Sequence, residues 1–240
     1  MYTEKKKEFS GKPHKNRKKG LHIMEKSNMI SISSGNIKMG DISSISLPAV
    51  VTCRPDAPCF QKCYARHMQN FKQNCLTAWT RNLDIYKNNP DSYWLQLRAH
   101  CSMVSAFRFH VSGDIPDVGY LQGIIKLARD CKNCQFLVFT KRADFVNDEI
   151  SRLKKQKKAI PRNLHILLSN WGSWTLPNPY GLPVTNVIPR HTTPAEMLRL
   201  ISDGSTICPS KHGEWGCQDC FKAGINCWAK GTKQILFPEH

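Results

Sequence analysis

The feature that most restricts this chain is an alternation of short strand-like runs with longer amphipathic helical ones. Leu47-Pro48-Ala49-Val50-Val51 reads as a first strand. Residues 75–104 are helical: Leu76, Trp79, Leu83 and Tyr86 recur at spacings of three to four, and Trp94, Leu97 and Cys101 resume after a break at Pro90. Phe107-Arg108-Phe109-His110-Val111 alternates as a strand and ends in Ser112-Gly113-Asp114, a turn signal. Residues 118–129 are helical, with Leu121, Ile124, Ile125 and Ala128 on one face. Phe136–Phe139 is a strand, 143–156 a helix, Leu164–Leu168 and Val184–Ile188 strands, and Pro194–Ser202 a short helix. Repeated βα units imply a parallel sheet, open or closed. Such sheets place ligands at the carboxyl ends of their strands. Polar groups stand at those ends here: Cys53, Ser112-Gly113-Asp114, Thr140-Lys141-Arg142, Ser169-Asn170-Trp171 and Pro189-Arg190-His191. That coincidence points to an enzyme-like site.

Length and composition narrow the class. A chain of 240 residues with 40% hydrophobic content can bury a core without disulfides. Its apolar runs are only a few residues long, so an integral membrane protein is not expected. The first 26 residues lack the apolar stretch of a secretory signal. The expected location is therefore the reducing cytoplasm, where eleven cysteines, an odd number, speak for metal ligation before disulfides. With 35 Lys+Arg against 18 Asp+Glu the formal charge is +17, which points to an anionic partner, nucleic acid first. Residues 1–26 carry nine Lys/Arg and three Glu, a net +6, with no apolar periodicity. They read as a solvated tail, and the remaining +11 makes the folded part basic too.

The cysteines divide into two clusters and four bystanders. Cys53, Cys59 and Cys63 are spaced C-x5-C-x3-C, in a loop stiffened by Pro55 and Pro58. Three thiolates leave one iron of a cubane open to a ligand. Zinc is the rival, with His67 as a fourth ligand. The position after a strand favours the cluster. Cys208, Cys217, Cys220 and Cys227 are spaced C-x8-C-x2-C-x6-C, and Gly213, Gly216 and Gly224 permit the turns of a metal knuckle. Four ligands close the site, as structural zinc or as an auxiliary [4Fe-4S] cluster. His212 is a possible substitute ligand, though it reads more simply as a surface histidine. Cys75 and Cys101 read as buried helical thiols, and Cys131-Lys132-Asn133-Cys134 as a turn without a second pair. Trp171, Trp174 and Tyr180 could stack a base or cover the sheet's open side.

Residues 31–40, with Cys53, Cys59, Cys63-Tyr64-Ala65 and His110-Val111-Ser112-Gly113-Asp114, resemble the gene product 88 family of phages and mobile elements, over roughly residues 29–230. That family is itself similar to the radical S-adenosylmethionine (SAM) enzymes. The resemblance implies an α/β fold, a partial (β/α)6 barrel with a C-terminal four-cysteine metal-binding extension. It implies that Cys53, Cys59 and Cys63 hold a [4Fe-4S] cluster whose open iron binds SAM. Ser112, Gly113 and Asp114 would match the segment binding the SAM amino group, with Ser169 and Asn170 near the ribose or carboxylate. The usual spacing of such enzymes is C-x3-C-x2-C with an aromatic before the last cysteine. Here both gaps are longer, Lys62 takes that place and Tyr64 follows.

The expected organisation is a basic tail over 1–28, a partial barrel with the cluster loop over 29–204 and the metal-binding extension over 205–240. The expected function is an iron–sulfur enzyme of radical-SAM type, served by an electron donor and acting on nucleic acid or a nucleotide. The alternative is a non-enzymatic, zinc-containing nucleic-acid-binding protein of a phage or mobile element.

Overall fold

The computed structural model describes residues 28–240 apart from Arg190, Asp203, Gly213, Glu214 and His240, and gives backbone alone at 202, 211 and 212. The basic tail lies outside the described residues up to position 27, as do Arg190, Gly213 and the side chain of His212.

Among the described residues, eight strands form one sheet. They are β1 (Ile32–Ser33), β2 (Ser43–Ile45), β3 (Ala106–Phe109), β4 (Gln135–Thr140), β5 (Leu164–Ser169), β6 (Val184–Ile188), β7 (Ser205–Ile207) and β8 (Gln234–Pro238). Their order is β1-β2-β3-β4-β5-β6-β8-β7. β1 runs antiparallel to β2, and every other pairing is parallel. Parallel neighbours need a crossover rather than a tight turn, and helices supply most of them. The described helices are α1 (Tyr64–Phe71), α2 (Gln73–Asn88), α3 (Pro90–Cys101), α4 (Val118–Asp130), α5 (Ala143–Lys155), α6 (Pro194–Ser202) and α7 (Cys217–Ala223). Local chemistry marks their starts. Asn89 accepts from the Ser92 N–H with Pro90 at the first helical position of α3, and Asp117 accepts from the Tyr120 N–H to start α4.

Side chains alternate across a strand, so each strand feeds two cores. Phe107, Phe109, Phe136, Val138, Leu164 and Ile166 pack against α2 to α5 through Leu83, Tyr93, Leu97, Tyr120, Leu121, Ile124, Val146 and Leu153. The opposite face presents Ala106, Leu137, Leu167 and Ile235, covered by Met39, Ile42, Cys220 and Trp228. The C-terminal region thus adds two strands to the sheet and roofs one of its faces. β8 enters between β6 and β7.

The first parallel strand differs from the sequence expectation. It is Ser43–Ile45, and residues 49–52 form a turn. Ser43, Ser44 and Ile45 are all buried, although two are serines. Pro48 has no N–H to give a ladder, and Val50 and Val51 are exposed. Helices α1 and α7 and strands β1, β7 and β8 are further elements beyond those expected. The other expected strands and helices fall within two residues of the expected positions, except that the helical stretch over 75–104 ends at Cys101, and it divides at Asn89, just before Pro90. The coarse expectation, a mixed α/β fold on a mostly parallel sheet, holds.

Candidate functional site

The loop after β2 is strained and tightly stitched. Val50 has φ 69°, and the Val51 N–H donates to the Ala49 carbonyl at 2.7 Å, a γ-turn with its centre in the left-handed half. A β-branched residue rarely adopts that backbone. Thr52 then ties the loop to the end of β3. Its hydroxyl donates to the Pro48 carbonyl at 2.9 Å and accepts from the Asp114 N–H at 3.0 Å. Gly113, at φ 79°, has no room for a side chain: a Cβ there would lie 2.7 Å from both the Leu47 carbonyl and the Thr52 hydroxyl. His110 also sits at positive φ, 60°. That twist turns its ring onto Tyr120 and Phe109, on the helix-covered face, where strict alternation would send it to the other. Burial, with the Arg108 charge second, lowers the His110 imidazole to about 3.

Asp114 is buried and its carboxylate is used internally. Oδ1 accepts from the Thr140 hydroxyl at 2.5 Å and the Ile115 N–H at 2.7 Å, and Oδ2 from the Lys141 N–H at 2.8 Å. Burial pushes this carboxyl up while those donors pull it down. It joins the ends of β3 and β4. Asn170 accepts from the Leu176 N–H, and Ser169 accepts from the Thr185 hydroxyl. Ser112 keeps a buried hydroxyl with no partner. The residues expected to hold SAM therefore all stand at strand ends, and most of their polar atoms bind neighbouring loops.

Cys53 and Cys63 lie near enough to feel each other's charge. Burial and then Asp114 push the Cys53 thiol up to about 12, against the pull of Lys141. Cys59 is half-buried on the 3-10 turn Pro58–Phe60. His67, on α1, stacks on Phe71 with ring centroids 4.4 Å apart. Arg54 pairs with Asp56 at 2.5 Å and lies over Trp174, and Arg142 pairs with Asp144 at 2.7 Å. The Tyr64 hydroxyl donates to the Val111 carbonyl. Cationic and aromatic groups thus rim the strand ends.

The second cluster lies on the other face of the sheet. Cys208, Cys217 and Cys227 pack around Cys220 and Trp228. Burial raises the Cys217, Cys220 and Cys227 thiols, and each is raised further by neighbouring sulfurs of the set. Polar groups reach three of the sulfurs. Asn226 Nδ2 donates to Cys220 Sγ at 3.6 Å, Arg108 Nη1 to Cys217 Sγ at 4.0 Å, and the Ser210 hydroxyl lies 3.2 Å from Cys208 Sγ. The Cys217 N–H donates to the Lys38 carbonyl, and Gln218 exchanges hydrogen bonds with Asp41, so the turn after β1 clamps α7. Among the described residues, no group of three or more His, Cys, Asp or Glu is set closely enough to hold a metal ion. The thiols share a neighbourhood without forming a finished coordination sphere.

Sequence reasoning missed Arg108, Thr52 and Val50. The signal for Arg108 was present: it is the one charged residue in the strand Phe107–Val111, which is otherwise apolar apart from His110. Nothing local marks the other two.

Sheet and clusters define a class: an α/β protein with parallel strands in largely sequential order, one cysteine loop at the strand ends and a second cysteine set on a sheet face. Residues 5–231 match the family model described as Gene product 88, and the chain belongs to that phage-associated family. The match extends further toward the N-terminus than residues 29–230 and takes in most of the basic tail. No curated protein and no solved structure matches significantly.

Proposed function

We propose that this chain is an iron–sulfur enzyme of radical-SAM type whose substrate is nucleic acid or a nucleotide. One observation carries the reading. Cys53 and Cys63 are gathered on the loop after the first parallel strand, beside Lys141 and Asp114 at the ends of the next two. Strands β2, β3, β4, β5, β6 and β8 run in parallel and in chain order. With right-handed crossovers, that order winds helices onto one face and favours a partial barrel with its mouth at these ends.

The donor types would suit a cluster, although the three thiols are not set closely enough in this structure to hold one. Three thiols lie on one loop, and Lys141 offers a nearby cation to offset thiolate charge. Cys53, Cys59 and Cys63 would hold the [4Fe-4S] group, and its open iron would supply one-electron chemistry to bound SAM. Asp114 does not suit the SAM ammonium, because both its oxygens already accept from Thr140, Ile115 and Lys141. Ser112, with its free hydroxyl, is the side chain best placed to meet a ligand. Arg54, Lys141 and Trp174 suit an anionic, aromatic substrate at the rim. The four C-terminal cysteines would hold a closed second centre, zinc or [4Fe-4S], that fixes the covering segment to the sheet.

Anaerobic purification tests the reading. A brown protein with iron and sulfide, whose spectrum changes on adding SAM, is expected. A colourless protein containing zinc alone would overturn it, and would favour a zinc-containing nucleic-acid-binding protein.

A further inference from the structure

Three segments distant in sequence meet around a pocket of about 430 Å³. The turn after α4 brings Arg129 and Lys132, the end of the crossover into β5 brings Arg162, and the approach to β8 brings Lys230. Gln135 and Asn163 add polar groups to the wall. All four cations are exposed. Among the described residues no carboxylate lines the pocket. The cavity between α2 and α3 differs, because it holds both Arg81 and Asp84. Gln135 opens β4 and Asn163 stands just before β5, so the pocket lies at the amino ends of the parallel strands, opposite the Cys53 loop.

The surroundings leave the positive charge of the pocket unopposed. Asp130, next to Arg129, is taken by Lys126 at 3.0 Å and by Arg98 at 3.5 Å. Among the described residues none of the four cations pairs with a carboxylate. Asn163 Nδ2 donates to the carbonyls of Ala128, Cys131 and Cys134 at 3.0, 3.1 and 2.8 Å, which occupies oxygens that would repel an anion. Arg129 Nη2 donates to the Ala159 carbonyl at 3.1 Å. That bond fixes the guanidinium and joins the pocket to the exposed pair Lys157-Lys158, which directly precedes Ala159.

A concave site lined by one sign of charge focuses its potential outward and concentrates ions of the other sign. Guanidinium forks match phosphate oxygens, and ammonium groups add mobile point charges. The cations stand exposed around an open rim and continue toward Lys157 and Lys158, which suits a chain of phosphates passing over the surface better than one enclosed small anion.

We propose that Arg129, Lys132, Arg162 and Lys230 form a phosphate-binding pocket that anchors the backbone of a polynucleotide at the end of the sheet opposite the Cys53 loop. This rests on the nucleic-acid part of the proposed function and not on its iron–sulfur part.

The test measures binding of a fluorescein-labelled oligothymidylate to the full chain by anisotropy over a range of salt, with iron content determined separately. The double variant Arg162→Gln/Lys230→Gln is compared with Lys72→Gln/Lys87→Gln, which removes the same charge from exposed positions elsewhere. The pocket variant is expected to bind about tenfold more weakly than the control variant. Its salt slope is expected to fall by about 1.4, the value for two single-strand phosphate contacts. Equal losses in the two variants would overturn the pocket, since net charge alone would then explain binding. An unsubstituted protein that binds inorganic phosphate or a nucleoside diphosphate but not the oligonucleotide would overturn the polynucleotide ligand. Oligonucleotide binding through the pocket by a protein without iron would support this proposal while the iron–sulfur reading failed. Lysine acetylation of the unsubstituted protein gives a readout that does not depend on the variants folding. Protection of Lys132 and Lys230 by the oligonucleotide beyond that of Lys72 and Lys87 supports the pocket, and equal modification overturns it.

Discussion

The two cysteine clusters use one side chain in two opposite settings. The loop with Cys53, Cys59 and Cys63 lies at the ends of the strands, rimmed by Arg54, Lys141 and Arg142, and it is held by backbone strain at Val50 and by hydrogen bonds to Thr52 and Asp114. The set with Cys208, Cys217, Cys220 and Cys227 is packed on a sheet face, among Met39, Leu137, Trp228 and Ile235. In the first, little apolar area depends on the cysteines, so the loop can be shaped for a ligand. In the second, the cysteines belong to a core, so any metal there also holds the fold. The difference shows that the spacing of cysteines does not reveal their surroundings: one group shapes a loop at the strand ends, and the other belongs to a core.

The sharpest break of this comparison is in stability. Trp228→Ala empties a buried site between the C-terminal segment and β5, and is expected to cost about 3–5 kcal/mol in urea unfolding. Cys53→Ala in metal-free protein is expected to cost about 1 kcal/mol or less. Equal losses would erase the distinction between a cysteine set embedded in a core and one carried on a loop.

Gly113→Ala comes next. Its Cβ would meet the Leu47 carbonyl at 2.7 Å, in a backbone conformation that alanine rarely adopts. A loss of about 2–3 kcal/mol is expected in a thermal melt, since neither contact can yield without parting the cysteine loop from the end of β3. A variant as stable as the parent would show that this stitching is loose.

His110 gives a pH signature. Its folded-state value is lowered to about 3 from an ordinary 6.5, with Tyr120 against its ring and the Arg108 charge nearby. Above pH 6.5 both folded and unfolded chains hold it neutral, so it adds no slope there. As pH falls below 6.5 the unfolded chain takes up a proton that the folded chain refuses, and stability drops by about 1.4 kcal/mol per pH unit toward pH 3. His110→Asn, which tolerates the left-handed backbone, should lack that component when unfolding is followed from pH 7 to pH 5. An unchanged pH slope would mean that the imidazole is reached by water.

The smallest effect is expected at Val50. Val50→Gly relieves the γ-turn and is expected to raise stability by about 1 kcal/mol, and, on the proposed iron–sulfur reading, to lower the iron retained by the Cys53 loop. A gain in stability with full iron content would show that the strain does not serve the cluster.

The strand and helix pattern from Phe107 to Ser202 was legible because each segment carries its own period: Phe107 and Phe109 on one face of β3, Leu121, Ile124 and Ile125 on one face of α4. β2 was hidden because Ser43-Ser44-Ile45 has too few apolar residues to signal a strand, while the apolar run after it is interrupted by Pro48. Spacing alone marked both cysteine clusters. It could not reveal that Asp114 spends its carboxylate on Thr140 and Lys141, since those partners are more than twenty residues away in sequence.

By itself the sequence determined the α/β class, the residues at most strand ends and the spacing of the cysteines, because periodicity and spacing are local properties of a chain. Only the tertiary structure decided that β8 slips between β6 and β7, that the four C-terminal cysteines roof the sheet, and that Arg108 is aimed at them. Those are long-range outcomes: they follow from which apolar face must be covered, and no short window of residues contains both partners.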